Sequence, residues 1–96
     1  MNHSIDYKAA REQVKMADVL ALLHFRPVSS SGDQLRGKCP IHESDNDRSR
    51  SFSVNLSKHA FQCFGCGEKG NQLDLYRLAT NQSLYHATKD LLNRFA

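Results

Sequence analysis

The 96-residue sequence predicts a small α+β domain in which a three-stranded antiparallel sheet with two metal-bearing turns, a zinc ribbon, is flanked by N-terminal and C-terminal helices. Three observations carry this reading. Cys39 and His42 form a Cys-x2-His pair, Cys63 and Cys66 form a Cys-x2-Cys pair, and twenty residues lie between His42 and Cys63. Each pair wraps one edge of a tetrahedral ion, and four such ligands suit one structural Zn²⁺. Phe52, Val54 and Leu56 alternate with polar neighbours, which is the period of a half-buried strand. On both sides of this region apolar residues recur at helical spacing.

The elements follow in order. Residues 1–25 read as a helical leader, with a first helix from Ser4 to about Gln13 that has Ser4 as its N-cap and places Tyr7, Ala10, Arg11 and Val14 at helical spacing. A shorter helix from Asp18 to Leu23 carries Val19, Leu20, Leu22 and Leu23, so it must dock on the rest. Arg26-Pro27 stops it, and Val28 to Asp33 reads as a polar link. Residues 34–70 read as the ribbon: a strand from Gln34 to Lys38, an exposed loop from Glu43 to Arg50, a strand from Ser51 to Leu56, a turn at Ser57-Lys58, and a return strand from His59 to Cys63. Gly65, Gly67 and Gly70 suit the tight backbone of a metal knuckle. In residues 71–96 Asn71 caps a helix carrying Leu73, Leu75, Tyr76, Leu78 and Ala79, and Ser83 caps another that runs to Phe95 through Leu84, Ala87, Leu91 and Leu92.

Composition narrows the function classes. A chain of 96 residues with 40% hydrophobic residues and no tryptophan buries only a modest core. Structural zinc contributes on the order of 10 kcal/mol in zinc-finger peptides, as much as the whole stability of a small domain, so the metal is expected to be part of the fold. Three cysteines make no even disulfide set, no apolar leader follows Met1, and no apolar run reaches membrane-spanning length. A cytoplasmic, reducing setting keeps the cysteines available as thiolates. The formal net charge is +3, and three thiolates with one Zn²⁺ bring it nearer +2, so the distribution of charge matters more than its total. Four ligands leave the metal no open position for water or substrate, which excludes hydrolysis at the zinc. Asp45-Asn-Asp47 falls in the polar loop without a supporting strand and reads as solvated rather than catalytic. A zinc deaminase would need three ligands and a His-x-Glu pair, whereas Glu43 directly follows His42.

Around the ligands the chain reads Lys38-Cys-Pro-Ile-His42, Arg50-Ser-Phe-Ser-Val54, His59-Ala-Phe-Gln-Cys-Phe-Gly-Cys-Gly67 and Lys69-Gly-Asn71. This closely resembles the CHC2 zinc-binding domain of DnaG-type bacterial and phage DNA primases, over nearly the whole chain. The resemblance implies a zinc-finger module, non-catalytic alone, that binds single-stranded DNA template for primer synthesis in DNA replication. It also implies Cys39, His42, Cys63 and Cys66 as zinc ligands and a DNA-facing ribbon surface. The family's polymerising core would not fit within these residues. The alternative is a ribbon adaptor that docks on a primase core, helicase or transposase, and the mild net charge favours it.

Single strands are commonly held by basic grooves with exposed aromatic rings. The ribbon offers Arg36, Lys38, Arg48, Arg50, Lys58 and Lys69, with His59 and Phe64 nearby. If Phe52 and Val54 point inward, Ser51, Ser53 and Asn55 point outward toward phosphate or base edges. Phe61 shares the face of Cys63 and is expected in the core, while Phe64 suits either covering the zinc or meeting a base. His42 is favoured over His59 as ligand because its three-residue step from Cys39 forms a knuckle.

Overall fold

The computed structural model describes residues 5–42 and 50–95. The Ser4 cap, Asp45–Asp47, Arg48 and most of the predicted polar loop lie outside the described residues. Helix α1 (Tyr7–Gln13) begins after Asp6, whose carboxylate accepts from the Ala9 amide at 3.1 Å. Helix α2 (Met16–Leu22) starts two residues earlier than its apolar pattern suggests, because the Asp18 carboxylate accepts the Lys15 amide and closes the first turn. It stops well before Pro27. His24 takes a left-handed conformation at φ 56°, which a helix interior does not tolerate.

The sheet departs from expectation in size. Five strands lie in sequence order, all antiparallel: β1 (Pro27–Ser31), β2 (Gln34–Gly37), β3 (Phe52–Asn55), β4 (Ala60–Cys63) and β5 (Lys69–Asn71). The segment read as a polar link is therefore the edge strand β1, whose residues are mostly exposed and show no apolar alternation. Its pairing depends on the two-residue turn Gly32-Asp33, in which only Gly32 has positive φ, 60°. That is the type II′ pattern, whose twist matches the flanking strands. Pro27 is tolerated because it opens an edge strand. β5 is three residues long, too short for a periodic signal.

Register sorts the sheet into two unlike faces. Leu35, Val54 and Phe61 lie opposite one another, as do Phe52 and Cys63, and these side chains join the core. The rings of Phe25, Phe52 and Phe61 follow one another at 5.3 and 5.7 Å between centroids. Phe61 is thus a packing residue, as expected from its sharing a face with Cys63. Against this face sit Ala10 of α1, Val14 just after it, Met16, Val19 and Leu20 of α2, and the helices α3 (Gln72–Thr80) and α4 (Leu84–Phe95) through Leu73, Leu75, Tyr76, Ala87 and Leu91.

Caps at both C-terminal helices form where the sequence places them. Asn71 Oδ1 accepts from the Leu73 and Asp74 amides, and Asp74 returns the bond by accepting the Asn71 amide at 2.9 Å. Ser83 Oγ accepts from the His86 amide at 3.1 Å. Two further ties are long-range. His59 Nδ1 accepts from the Met16 amide at 3.1 Å, and Gln72 Nε2 donates to the Arg11 and Val14 carbonyls at 2.9 and 2.7 Å. A side chain from the ribbon thus satisfies the start of α2, and one from α3 satisfies the end of α1.

The buried Tyr76 hydroxyl donates to Asp90 Oδ2 and joins α3 to α4, while Arg94 Nε reaches Asp90 Oδ1 at 3.3 Å. Burial, then the hydrogen bond and charge of Asp90, raises the Tyr76 pKa above its ordinary 10.0. The neutral phenol is preferred in the folded state, so its stabilisation is complete below pH 10 and is lost as pH rises through the raised pKa. Tyr76→Phe is expected to lower urea stability by about 1 to 2 kcal/mol at pH 7. The same substitution should remove part of the stability loss above pH 10, measured as unfolding midpoint against pH.

Candidate metal centre

Two turns at the same end of the sheet build the site. β2 ends at Gly37 and delivers Cys39 and His42, while β4 ends at Cys63 and delivers Cys66. Gly37, Phe52 and Cys63 share one cross-strand row, which carries the two knuckles to neighbouring positions. The Cys39, Cys63 and Cys66 sulfurs and a His42 ring nitrogen all lie within 4.8 Å of one another. A tetrahedral site with Zn–S near 2.3 Å and Zn–N near 2.05 Å has S–S edges of about 3.8 Å and N–S edges of about 3.5 Å, and His42 Nδ1 stands 3.8 Å from Cys63 Sγ. The donor set and its spacing fit one zinc ion. His59 is not in this group, and its Nδ1 is occupied by Met16, so His42 is the histidine ligand.

Local backbone shapes each knuckle. The Ile41 amide donates to Cys39 Sγ at 3.4 Å, and the Cys66 amide donates to Cys63 Sγ at 3.5 Å. Behind the second knuckle, Cys63 N–H donates to the Glu68 carbonyl, Gly67 N–H to the Cys63 carbonyl, and Phe64 N–H to the Ser51 carbonyl. Gly65 lies close to the site: a Cβ there would stand 3.1 Å from Cε1 and Nε2 of the His42 ring and would press on it.

The thiols differ in their readiness to ionise. Burial pushes the Cys39 thiol from 9.0 up to about 12, against the pull of the His42 and Ile41 amides. For Cys63 burial is again the largest influence and acts upward, but the Cys66 and Gly65 amides and the neighbouring thiols hold it below 9.0. Cys39 therefore becomes a thiolate at neutral pH only with a cation beside it, and metal uptake releases its proton.

The other residues singled out in the sequence are spread over the domain. Ser53 and Asn55 lie on the outer sheet face, as alternation predicts, and both bond Gln34. Asn55 Oδ1 also accepts from the Ser57 amide and hydroxyl and the Lys58 amide, so this side chain organises the β3–β4 turn. Arg36 shares the outer face and donates through Nε and Nη2 to the Arg50 carbonyl at 3.2 and 2.7 Å. Its guanidinium stands 5.5 Å from the centre of the Phe64 ring, which is 62% exposed. Lys69 stands on the same face, Lys58 is exposed in the β3–β4 turn, and Arg50 precedes β3. Lys38 lies elsewhere, lining a cleft of about 780 Å³ beside Cys39 with Leu22, Leu23, Phe25 and Pro40. His59 is held against α2.

The sequence reading missed the width of the outer face. One cross-strand row runs Ser29, Arg36, Ser53, Gln62, Lys69, and the next runs Ser31, Gln34, Asn55, Ala60, Asn71. Neither row holds an acidic side chain or an apolar one larger than alanine. Gly32-Asp33 was the available signal, since a Gly-first pair marks a two-residue hairpin and adds β1 to the sheet.

A family model described as CHC2 zinc finger matches residues 3–96. The DNA primase of Aquifex aeolicus is 30% identical over 92 residues, covering 96% of this chain and 18% of that protein. That of Helicobacter pylori strain 26695 is 38% identical over 68 residues, covering 71% of this chain and 12% of that protein. A crystal structure of the zinc-binding and RNA polymerase domains of the Aquifex aeolicus primase superposes with a TM-score of 0.76 at 30% identity, covering 96% of this chain and 22% of that one. The chain spans less than a fifth of the length of these curated relatives.

His42→Cys is expected to keep one zinc per chain in a tetrahedral site, whereas His42→Ala and Cys66→Ser should each weaken binding by about two orders of magnitude. Competition with a chromophoric chelator measures both. Native affinity in His42→Ala would exclude His42 as a ligand.

Proposed function

The chain belongs to the CHC2 zinc-finger family of DnaG-type DNA primases, and on that premise we propose that it is a primase-type module binding single-stranded DNA template across the outer face of its sheet. The acid-free polar face is the observation that carries this reading. Four steps of about 4.8 Å between strands give it a width of about 19 Å, enough for a short stretch of single strand. Hydroxyl, amide and cationic side chains there meet phosphates and base edges, and the Phe64 ring at the zinc end offers a stacking surface.

Zinc sets the shape of this surface and takes no part in chemistry. It fixes the knuckle that carries Phe64, and Arg36, held by the Arg50 carbonyl and laid over the ring, places a positive charge beside the stack. The module is non-catalytic alone and supplies template recognition to a polymerising unit in cytoplasmic DNA replication. Among the described residues no helix is long and apolar enough to cross a membrane. The second reading, an adaptor for a primase core, helicase or transposase, draws support from the partly apolar cleft at Leu22, Leu23, Phe25 and Pro40.

Labelled oligonucleotides of varied sequence, titrated into zinc-loaded protein at low salt, test the proposal. Weak, salt-sensitive binding is expected. Phe64→Ala should cost about 1 to 3 kcal/mol of affinity, the worth of one stacked base. Absence of binding to every oligonucleotide would remove the DNA reading and leave the adaptor.

A further inference from the structure

A second cationic feature lies off the sheet. Arg11, Lys58, His59, Asn71 and Gln72 line a cleft of about 330 Å³ where α1, the β3–β4 turn and the start of α3 meet. The cleft continues the outer face at the end opposite the zinc, because Asn71 belongs to the row that ends the face and Lys58 and His59 follow Asn55 in the turn. Among the described residues, the side chains of Arg11 and Lys58 have no ion-pair or hydrogen-bond partner. Gln72, buried beneath, holds the Arg11 carbonyl at 2.9 Å and so fixes the end of α1 beside the turn.

His59 completes a set of donors. Its Nδ1 accepts from the Met16 amide, so the neutral ring must carry its proton on Nε2 and present an N–H. Asp74, the acidic residue in the first turn of α3, has its carboxylate committed to the Asn71 amide. None of the residues lining the cleft is acidic. Two cations and an imidazole N–H are the donors that recognise a phosphate here, while the start of α3 is already taken by the Asn71 cap and the charge of Asp74.

We propose that Arg11, Lys58 and His59 form a phosphate subsite for a single strand leaving the sheet face, a proposal that rests on the DNA-binding reading above. From Phe64 to Ala60 the strand path spans about 13 Å, so a base at the aromatic ring and a phosphate in the cleft are two or three nucleotides apart. The leader helix thereby becomes part of the template surface.

The test is NMR of the zinc-loaded full chain, following the Arg11 Nε, His59 Nε2 and outer-face amide signals. A short oligothymidylate and inorganic phosphate are titrated separately. The oligonucleotide is expected to shift Arg11 and His59 together with Gln62 and Lys69. Arg11→Gln and Lys58→Gln, both at exposed positions, should each reduce the slope of log affinity against log salt by about 0.7. Arg11→Gln should also abolish the His59 response while sparing the outer face. Shifts confined to the outer face would overturn the subsite and leave the DNA reading standing. No oligonucleotide response anywhere would overturn both. A response of Arg11 and His59 to inorganic phosphate without any to the oligonucleotide would make the cleft a free-anion site and overturn its assignment to the strand.

Discussion

Four ligand atoms from two separate stretches of chain have to meet around one ion, and the rest of the molecule is arranged so that they do. Cys39 and His42 follow β2, and Cys63 and Cys66 follow β4, with β3 lying between those strands. Register is therefore not free: slipping β3 against β4 by one residue would carry Cys63 and Phe61 to the outer face together. A small core of this kind has little stability to spare, and structural zinc contributes on the order of its whole net stability. The four donor atoms gather where β2 and β4 end, and the rings of Phe25, Phe52 and Phe61 follow one another through the core.

Helices are attached to this ribbon by hydrogen bonds as well as by apolar contact. His59 satisfies the first amide of α2, and Gln72 satisfies two carbonyls at the end of α1. Both ties join groups more than forty residues apart, so the ends of the leader helices draw hydrogen-bond partners from the ribbon and from α3. His59 also illustrates a division of labour: one ring nitrogen serves the fold, and that commitment determines which nitrogen carries the proton. On the other side of the sheet the same register that buries Phe52 and Val54 exposes hydroxyl, amide and cationic side chains in two continuous rows.

Much of this was legible in the residues. The ligand spacing identifies the metal set, alternation at Phe52 and Val54 identifies the buried face, and Asn71 and Ser83 cap their helices where the sequence predicts. Other features left no local trace. β1 is an edge strand of proline, valine and serines, with little apolar burial to create a pattern, and β5 is too short to show one. The roles of His59 and Gln72 depend on partners brought close only by the completed fold. Alternation marks Asn55 as a surface contact, but its amide is engaged by Gln34 and by the turn it supports. Outward direction follows from sequence period, whereas hydrogen-bond commitment does not.

Zinc bound by the four donors would hold the ends of β2 and β4 together and so sustain the sheet. Amide hydrogen exchange on the zinc-loaded chain, before and after removal of the metal by a strong chelator, tests it most directly. The Cys63, Phe64 and Gly67 amides are expected to lose protection outright, and protection across β3 and β4 to fall by several orders of magnitude, with recovery when zinc is returned. Unchanged protection in β3 and β4 after complete metal removal would contradict it.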